Sequence, residues 1–280
     1  MVQLEPNLAL TLKALAPFGA VVSAEQQAAL DHSVTIKRVE AGLKSLVLWG
    51  KITTLNGKDY LVAEGYNSPT LGLGGEVTYD SKFYYSVDGV KWVDLPSLDG
   101  ATSRRAGTID SILTGDVAKG NEVTEDNPNA PPPVEAVEGE AEPAAPEGEE
   151  IPAKLTFSIP ELAVLRFRID AVNEACGVVP VGSLQPDATN RIVANRLFTG
   201  LPHPDKLESY AHRTVAPGSR TLAADLRGCW AVNYDPFKTV AAVRSLLFPG
   251  YTMYYSGHDA TWGALYVGDG LRNNDLIFML

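Results

Sequence analysis

Cysteine, histidine and long apolar runs are all scarce in this chain, and each scarcity removes a class of function. Of 280 residues only Cys176 and Cys229 are cysteines and four are histidines. Neither cysteine has a neighbouring partner, so no zinc or redox motif can be written. Both are expected as free thiols of a reducing compartment, with a structural disulfide as the alternative. His203 with Asp205, and His212, lie in a Pro-rich stretch without Cys or Glu at metal spacing, and His32 is isolated, so neither a metal nor a cofactor is expected. No apolar run approaches the ~20 residues that a membrane helix requires. Glu5 and Pro6 stand where a signal peptide carries basic residues, and no clean apolar segment follows. A cytosolic protein without a membrane is expected.

Positive charge is missing from one long segment. Between Lys119 and Lys154 there is no basic residue, while ten acidic side chains run from Glu122 to Glu150. The whole chain has a formal net charge of −11; without those ten, 24 acidic residues face 23 basic ones. The remainder is nearly neutral, and it offers no basic stripe of the kind that nucleic-acid binding needs. The segment Asn121–Ala153 also carries seven prolines and no aromatic residue. Such a composition buries too little apolar area to offset the entropy of ordering, so a disordered acidic linker is expected there.

The linker divides the chain into an N-terminal half (1–120) and a C-terminal half (154–280), expected to pack together as one fold. In the first half, Leu4, Leu8, Leu12 and Leu15 recur at helical spacing. Ser23–Gln26 fits a capping box ahead of a second helix. Two hairpins follow. Asn56-Gly57 joins 43–55 to 58–66, and Asp88-Gly89 joins 83–87 to 91–93. After the linker, Ser158 is the expected N-cap of a helix with Pro160 in its first turn and Glu161 completing a box. Leu162, Leu165, Ile169, Val172 and Cys176 form its apolar stripe, and Gly177 ends it. Strands are expected over 178–182, 229–234, 239–248, 251–255 and 264–267, with 240–247 open to a helical reading. These elements give an α+β architecture of antiparallel hairpins or a meander with few helices.

Candidate chemistry is sparse. Gly72, Gly74 and Gly75 have the look of a phosphate loop but lack its spacing, its lysine and a following helix, so a hairpin loop is expected. Ser256, His258 and Asp259 are triad residue types packed into one turn, which rarely lets them converge. Asp269–Asp275 offers oxygen donors out of calcium-loop order. An enzymatic or small-molecule-binding domain built on the Gly72–Gly75 loop and the His258–Asp259 turn is the alternative reading.

Aromatics make up only 8% of the chain yet gather near its end: Phe248, Tyr251, Tyr254, Tyr255, Trp262 and Tyr266, followed by the apolar terminus Ile277–Leu280. Aromatic side chains with polar tips favour subunit contacts. Most aromatics on alternating strands are expected in the core; Trp49, Trp92, Tyr254, Tyr255 and Phe278 are the candidates for a partner interface. The segments Val47–Ile52, Tyr60–Gly65, Asn195–Leu201, Val243–Gly250, Leu265–Gly270 and Asp275–Leu280 resemble, in this order, the radial spoke head protein 9 family of motile cilia and flagella. The resemblance implies a non-enzymatic subunit of the spoke head in the ciliary or flagellar axoneme. Implied partners are radial spoke head proteins 4 and 6 and the other head subunits, with the central-pair apparatus engaged indirectly in mechanical signalling to the dynein arms.

Overall fold

A computed structural model describes residues 8–19, 22–127, 154–217 and 220–279. The first helices are α1 (Leu8–Leu15) and α2 (Ala24–Glu40). Ser23 caps α2, its hydroxyl accepting from the Gln26 N–H at 3.2 Å, as the capping box requires. Strands β1 (Ser45–Ile52), β2 (Tyr60–Tyr66), β3 (Thr70–Leu71), β4 (Val77–Thr78), β5 (Ser81–Ser86) and β6 (Val93–Leu95) follow, then α3 (Gly100–Ala106). Next come β7 (Gly120–Asp126), β8 (Lys154–Pro160), α4 (Glu161–Cys176), β9 (Val178–Pro180), β10 (Leu184–Pro186), β11 (Ile192–Ala194) and β12 (Tyr210–His212). The last strands are β13 (Trp230–Asp235), β14 (Val240–Ser245), β15 (Tyr251–Ser256) and β16 (Thr261–Gly268).

Eight strands make the main sheet, in the order β13-β14-β15-β16-β1-β2-β5-β6. Both expected hairpins are present as the pairs β1–β2 and β5–β6. Residues 240–245, open to a helical reading, are strand; their neighbours β13 and β15 complete the ladder on both sides. Strand β16, late in sequence, lies beside the early strand β1, and that pair is parallel while its neighbours in the sheet are antiparallel. The close approach falls at Gly50, with φ +157°, where an added Cβ would stand 2.2 Å from the Tyr266 carbonyl oxygen. The register of β1 also slips between Leu48 and Gly50, as expected of a bulge.

Alternation along the strands builds a core on each face. Phe83 and Tyr85 turn toward α4, whose Val164, Leu165, Ile169, Val172 and Cys176 pack into the larger core with Trp49, Tyr60, Val243 and Met253. Tyr84, between them in sequence, faces the smaller core with Leu12, Leu15 and Leu30 of α1 and α2, Leu48 and Tyr254. A sheet covered on both faces explains why the central strand β2 is buried over Tyr60–Gly65 and shows no polar alternation.

Two expectations are corrected at the start of α4. Ser158 is a residue of β8, and Pro160 is the N-cap, with no side-chain capping bond. The linker expected from 121 also starts later. Gly120–Asp126 pairs throughout its length with Lys154–Pro160, and Glu125 is held by Arg105 through two bonds of 2.9 and 3.0 Å. That ion pair and the Phe157 ring under the Arg105 guanidinium give this acidic stretch the partners its composition conceals. Residues 128–153, the rest of the expected linker, lie outside the described residues, as do Leu4 and Leu280.

Candidate functional site

Buried polar side chains do most to define this molecule. Glu161, 1% exposed at the first turn of α4, accepts four hydrogen bonds. They come from the Tyr60 hydroxyl (2.8 Å), the Thr114 N–H and hydroxyl (3.0 and 2.5 Å) and the Gly115 N–H (2.8 Å). Burial pushes its carboxyl up, but these bonds outweigh it and hold the group below the usual glutamate range. Arg168, also buried, donates to the carbonyls of Asp269 (3.0 Å), Ile109 (3.3 Å) and Ser111 (2.6 Å). It thereby ties the segment after β16 to α4, and the Tyr266 hydroxyl accepts from the Gly270 N–H at 2.8 Å beside it. Leu276 is buried at the end of this strap, whereas Phe278 is 87% exposed.

A third group crosses the molecule. Glu64 of β2 meets Arg213 at 2.9 and 3.2 Å, with the Ser81 hydroxyl donating to Glu64 at 2.8 Å. The guanidinium lies 4.7 Å from the centre of the Tyr79 ring and rests on Gly177, where a Cβ would come within 2.6 Å of the arginine stem. Gly177 thus serves this contact in addition to ending α4, where its φ of −62° is not left-handed. The pair borders a cavity of about 140 Å³ walled by Trp49, Tyr66, Tyr79, Ile192 and Trp262.

A wider cleft of about 750 Å³ opens beside β12 and β13 and contains the arrangement nearest to catalytic geometry. His212 Nε2 lies 2.6 Å from Asp225 Oδ2, which also accepts from Trp230 Nε1 at 2.9 Å, while Arg220 donates to Oδ1 at 2.8 Å. Burial raises the Asp225 carboxyl, but the bonds from Trp230 and His212 and the nearby cations bring it below its usual value. Cys229 lines the same cleft. Burial, and then the Asp225 charge, push its thiol up, opposite to what a nucleophile needs. Cys176, likewise free, is buried, and burial pushes its thiol up to about 12. The carboxylate is shared among three donors, a geometry that fixes the loop before β13.

The expected chemical motifs stay apart. Gly72–Gly75 is the turn between β3 and β4, with the Glu76 carboxylate lying against Gly72, a negative group where an anion would sit. His258 and Asp259 are exposed in the turn joining β15 to β16. Neither motif lines the two cavities above. Among the described residues no three His, Cys, Asp or Glu side chains are grouped to hold a metal. No helix among them is long and apolar enough to cross a membrane.

Four of the five interface candidates are in the interior and contact the chain itself. Trp49 donates to Asn173 at 2.7 Å, and Trp92 donates to Ser33 at 3.0 Å. Tyr254 meets Thr11 at 3.3 Å, and the Tyr255 hydroxyl accepts from the Leu201 N–H at 2.8 Å. Phe278 alone is at the surface, where Leu73, Leu197 and Phe237 are also more than four-fifths exposed. Sequence reasoning missed Glu64, Arg168 and Arg213. Their partners are 149, 101 and 57 residues away along the chain, and local pattern carries no signal for such pairs.

Fold and polar groups together define an α+β protein whose interior ion pairs and hydrogen bonds brace a two-faced sheet. No family model matches the chain. It is similar along its length to curated proteins named radial spoke head protein 9 homolog. That of Xenopus tropicalis is 29% identical across 98% of this chain and 99% of its own. The Danio rerio protein is 29% identical and the Homo sapiens protein 26%, each with the same coverage. In each case the similarity runs from end to end, and each relative bears the name radial spoke head protein 9 homolog.

Proposed function

We propose that this chain is a non-enzymatic structural component of the axonemal radial spoke head in cilia or flagella. Similarity over 98% of its length to radial spoke head protein 9 homologues carries the reading. The polar interior supports it: Glu161, Arg168 and Glu64–Arg213 each join elements distant in sequence, as a part that transmits load needs. The shared eight-stranded sheet supports treating 1–120 and 154–280 as one unit. In this role the subunit associates with other head subunits, radial spoke head proteins 4 and 6 among them. It takes part in mechanical signalling between the central pair and the dynein arms. Phe278 is the interface candidate positioned to meet a partner.

Electron cryotomography of cilia lacking the chain tests this. Spoke stalks with missing or truncated heads, restored by the wild-type chain, are expected. Intact heads in its absence would refute the reading.

A further inference from the structure

The main sheet has two edges, and they are built differently. Strand β6 is three residues long, its Asp94 is paired with Lys37 at 3.5 Å, and the Leu95 carbonyl accepts from Arg166 at 3.3 Å. Short length and charge are how proteins blunt an edge. Strand β13 is six residues long and has β14 on one side only. The direction of its backbone groups follows from one bond: the Leu246 N–H donates across the ladder to the Cys229 carbonyl at 2.8 Å. With the two-residue alternation of an antiparallel pair, Ala231, Asn233 and Asp235 turn their backbone groups toward β14, and Trp230, Val232 and Tyr234 turn theirs outward. Trp230 is buried, whereas Val232 is half-buried and Tyr234 exposed. With the Asn233 amide turned to suit its neighbours, it donates to the Val232 carbonyl at 3.2 Å and accepts from Arg244 at 2.6 Å, side-chain contacts that an arriving strand can displace. No backbone bond from these outward groups reaches another element among the described residues.

Charge around the edge selects the occupant. From Leu226 to Ser245 the charged side chains are Arg227, Asp235, Lys238 and Arg244. Asp235 is turned into its own loop, accepting from the Phe237 and Lys238 N–H groups at 3.0 and 3.4 Å. The edge is therefore locally positive in a chain of net charge −11, and Phe237, 98% exposed at the hairpin tip, adds an apolar anchor. Edge-to-edge pairing of β13 with the β13 of a second copy would bring the same three cations against themselves. We infer that β13 is a strand-addition site for an extended acidic segment of another polypeptide, which pairs with the backbone of Val232 and Tyr234 while its carboxylates meet Arg227, Lys238 and Arg244. This deepens the spoke-head reading by naming a partner's chemistry, and it rests on that reading only for where such a partner is found.

The test needs no cilium, so its failure is separate from failure of the functional reading. A capped peptide of alternating Glu and Val is titrated into the isolated chain, and amide exchange at Tyr234 is followed by NMR. Slowing of that exchange is expected, with binding about tenfold weaker for the same peptide carrying Lys in place of Glu. Val232→Pro removes an outward N–H and no ladder bond, so the sheet remains and peptide-dependent slowing at Tyr234 disappears. Arg227→Glu with Lys238→Glu, which leaves the strand untouched, reverses the peptide preference. Three outcomes overturn the inference. One is no slowing at Tyr234; another is equal binding of both peptides by the wild type. The third is slowing that tracks the concentration of the chain itself, which assigns the edge to a second copy.

Discussion

Replacing Glu161 tests the idea that buried polar groups brace this fold. In Glu161→Ala the Thr114 and Gly115 N–H groups and the Tyr60 hydroxyl lose their common acceptor in a site 1% exposed. Each orphaned donor costs about 1 kcal/mol or more, and loss of a carboxylate at a helix N-terminus adds up to about 1. Allowing for water reaching the part-buried Thr114, the sum is roughly 4 kcal/mol, equivalent to a fall in Tm of roughly 10 °C for a chain of this size. Glu161→Gln keeps one acceptor oxygen but turns an NH2 group toward donors, and about 2 kcal/mol is expected. Urea denaturation followed by far-UV dichroism measures both. The pH dependence supplies an independent sign. The folded-state carboxyl is depressed below its ordinary value of 4.5, so its contribution is present above that pH and is lost as pH falls. The alanine variant should therefore lose less stability than the wild type on acidification. A change under 1 kcal/mol for Glu161→Ala, or an acid limb identical to the wild type's, refutes the reasoning.

Other outcomes follow from the same interior. Arg168→Ala leaves three carbonyls without a donor and should cost about 3 kcal/mol; limited proteolysis should then cut within 269–279, and unchanged resistance there would count against the strap. Arg213→Ala strands the buried Glu64 carboxylate and should cost about 3–5 kcal/mol, while Glu64→Leu with Arg213→Leu should cost clearly less; additive losses in that double-mutant cycle would deny the pair. Burial holds the phenols of Tyr60, Tyr210, Tyr251 and Tyr266 well above their ordinary value of 10.0. Their stabilising contribution is complete below that pH and is lost as pH rises beyond it, so spectrophotometric titration should find them protonated until the chain unfolds. Free titration of all the tyrosines near 10 in the folded state would contradict this.

Legibility in the sequence followed the range of the interactions. Asn56-Gly57 and Asp88-Gly89 announce their hairpins because Gly57 and Gly89 take the positive φ a reversal needs. The strands nonetheless stop at Ile52 and Tyr60 and at Ser86 and Val93, leaving loops longer than two residues. Ser23 is readable as a cap because its bond spans three residues. The signature at Ser158 misleads for a related reason: Glu161 has the right spacing to reach back, but tertiary donors from Tyr60, Thr114 and Gly115 take its carboxylate instead. The β1–β16 pairing joins residues over two hundred positions apart and leaves no local pattern. Alternating strand positions read most aromatics as core, and four of the five candidates are there. Trp49, Trp92, Tyr254 and Tyr255 each find a polar partner inside the chain, which composition does not reveal. The open edge at β13 becomes visible only once the order of strands is known.

Sedimentation of salt-extracted axonemes, with the chain quantified against a spoke-stalk marker, tests the central claim most directly. A structural component of the spoke head should run with the spoke complex in constant proportion and leave only a trace in the light fractions. A chain found mainly as a free monomer, with the spoke complex complete without it, would contradict the account.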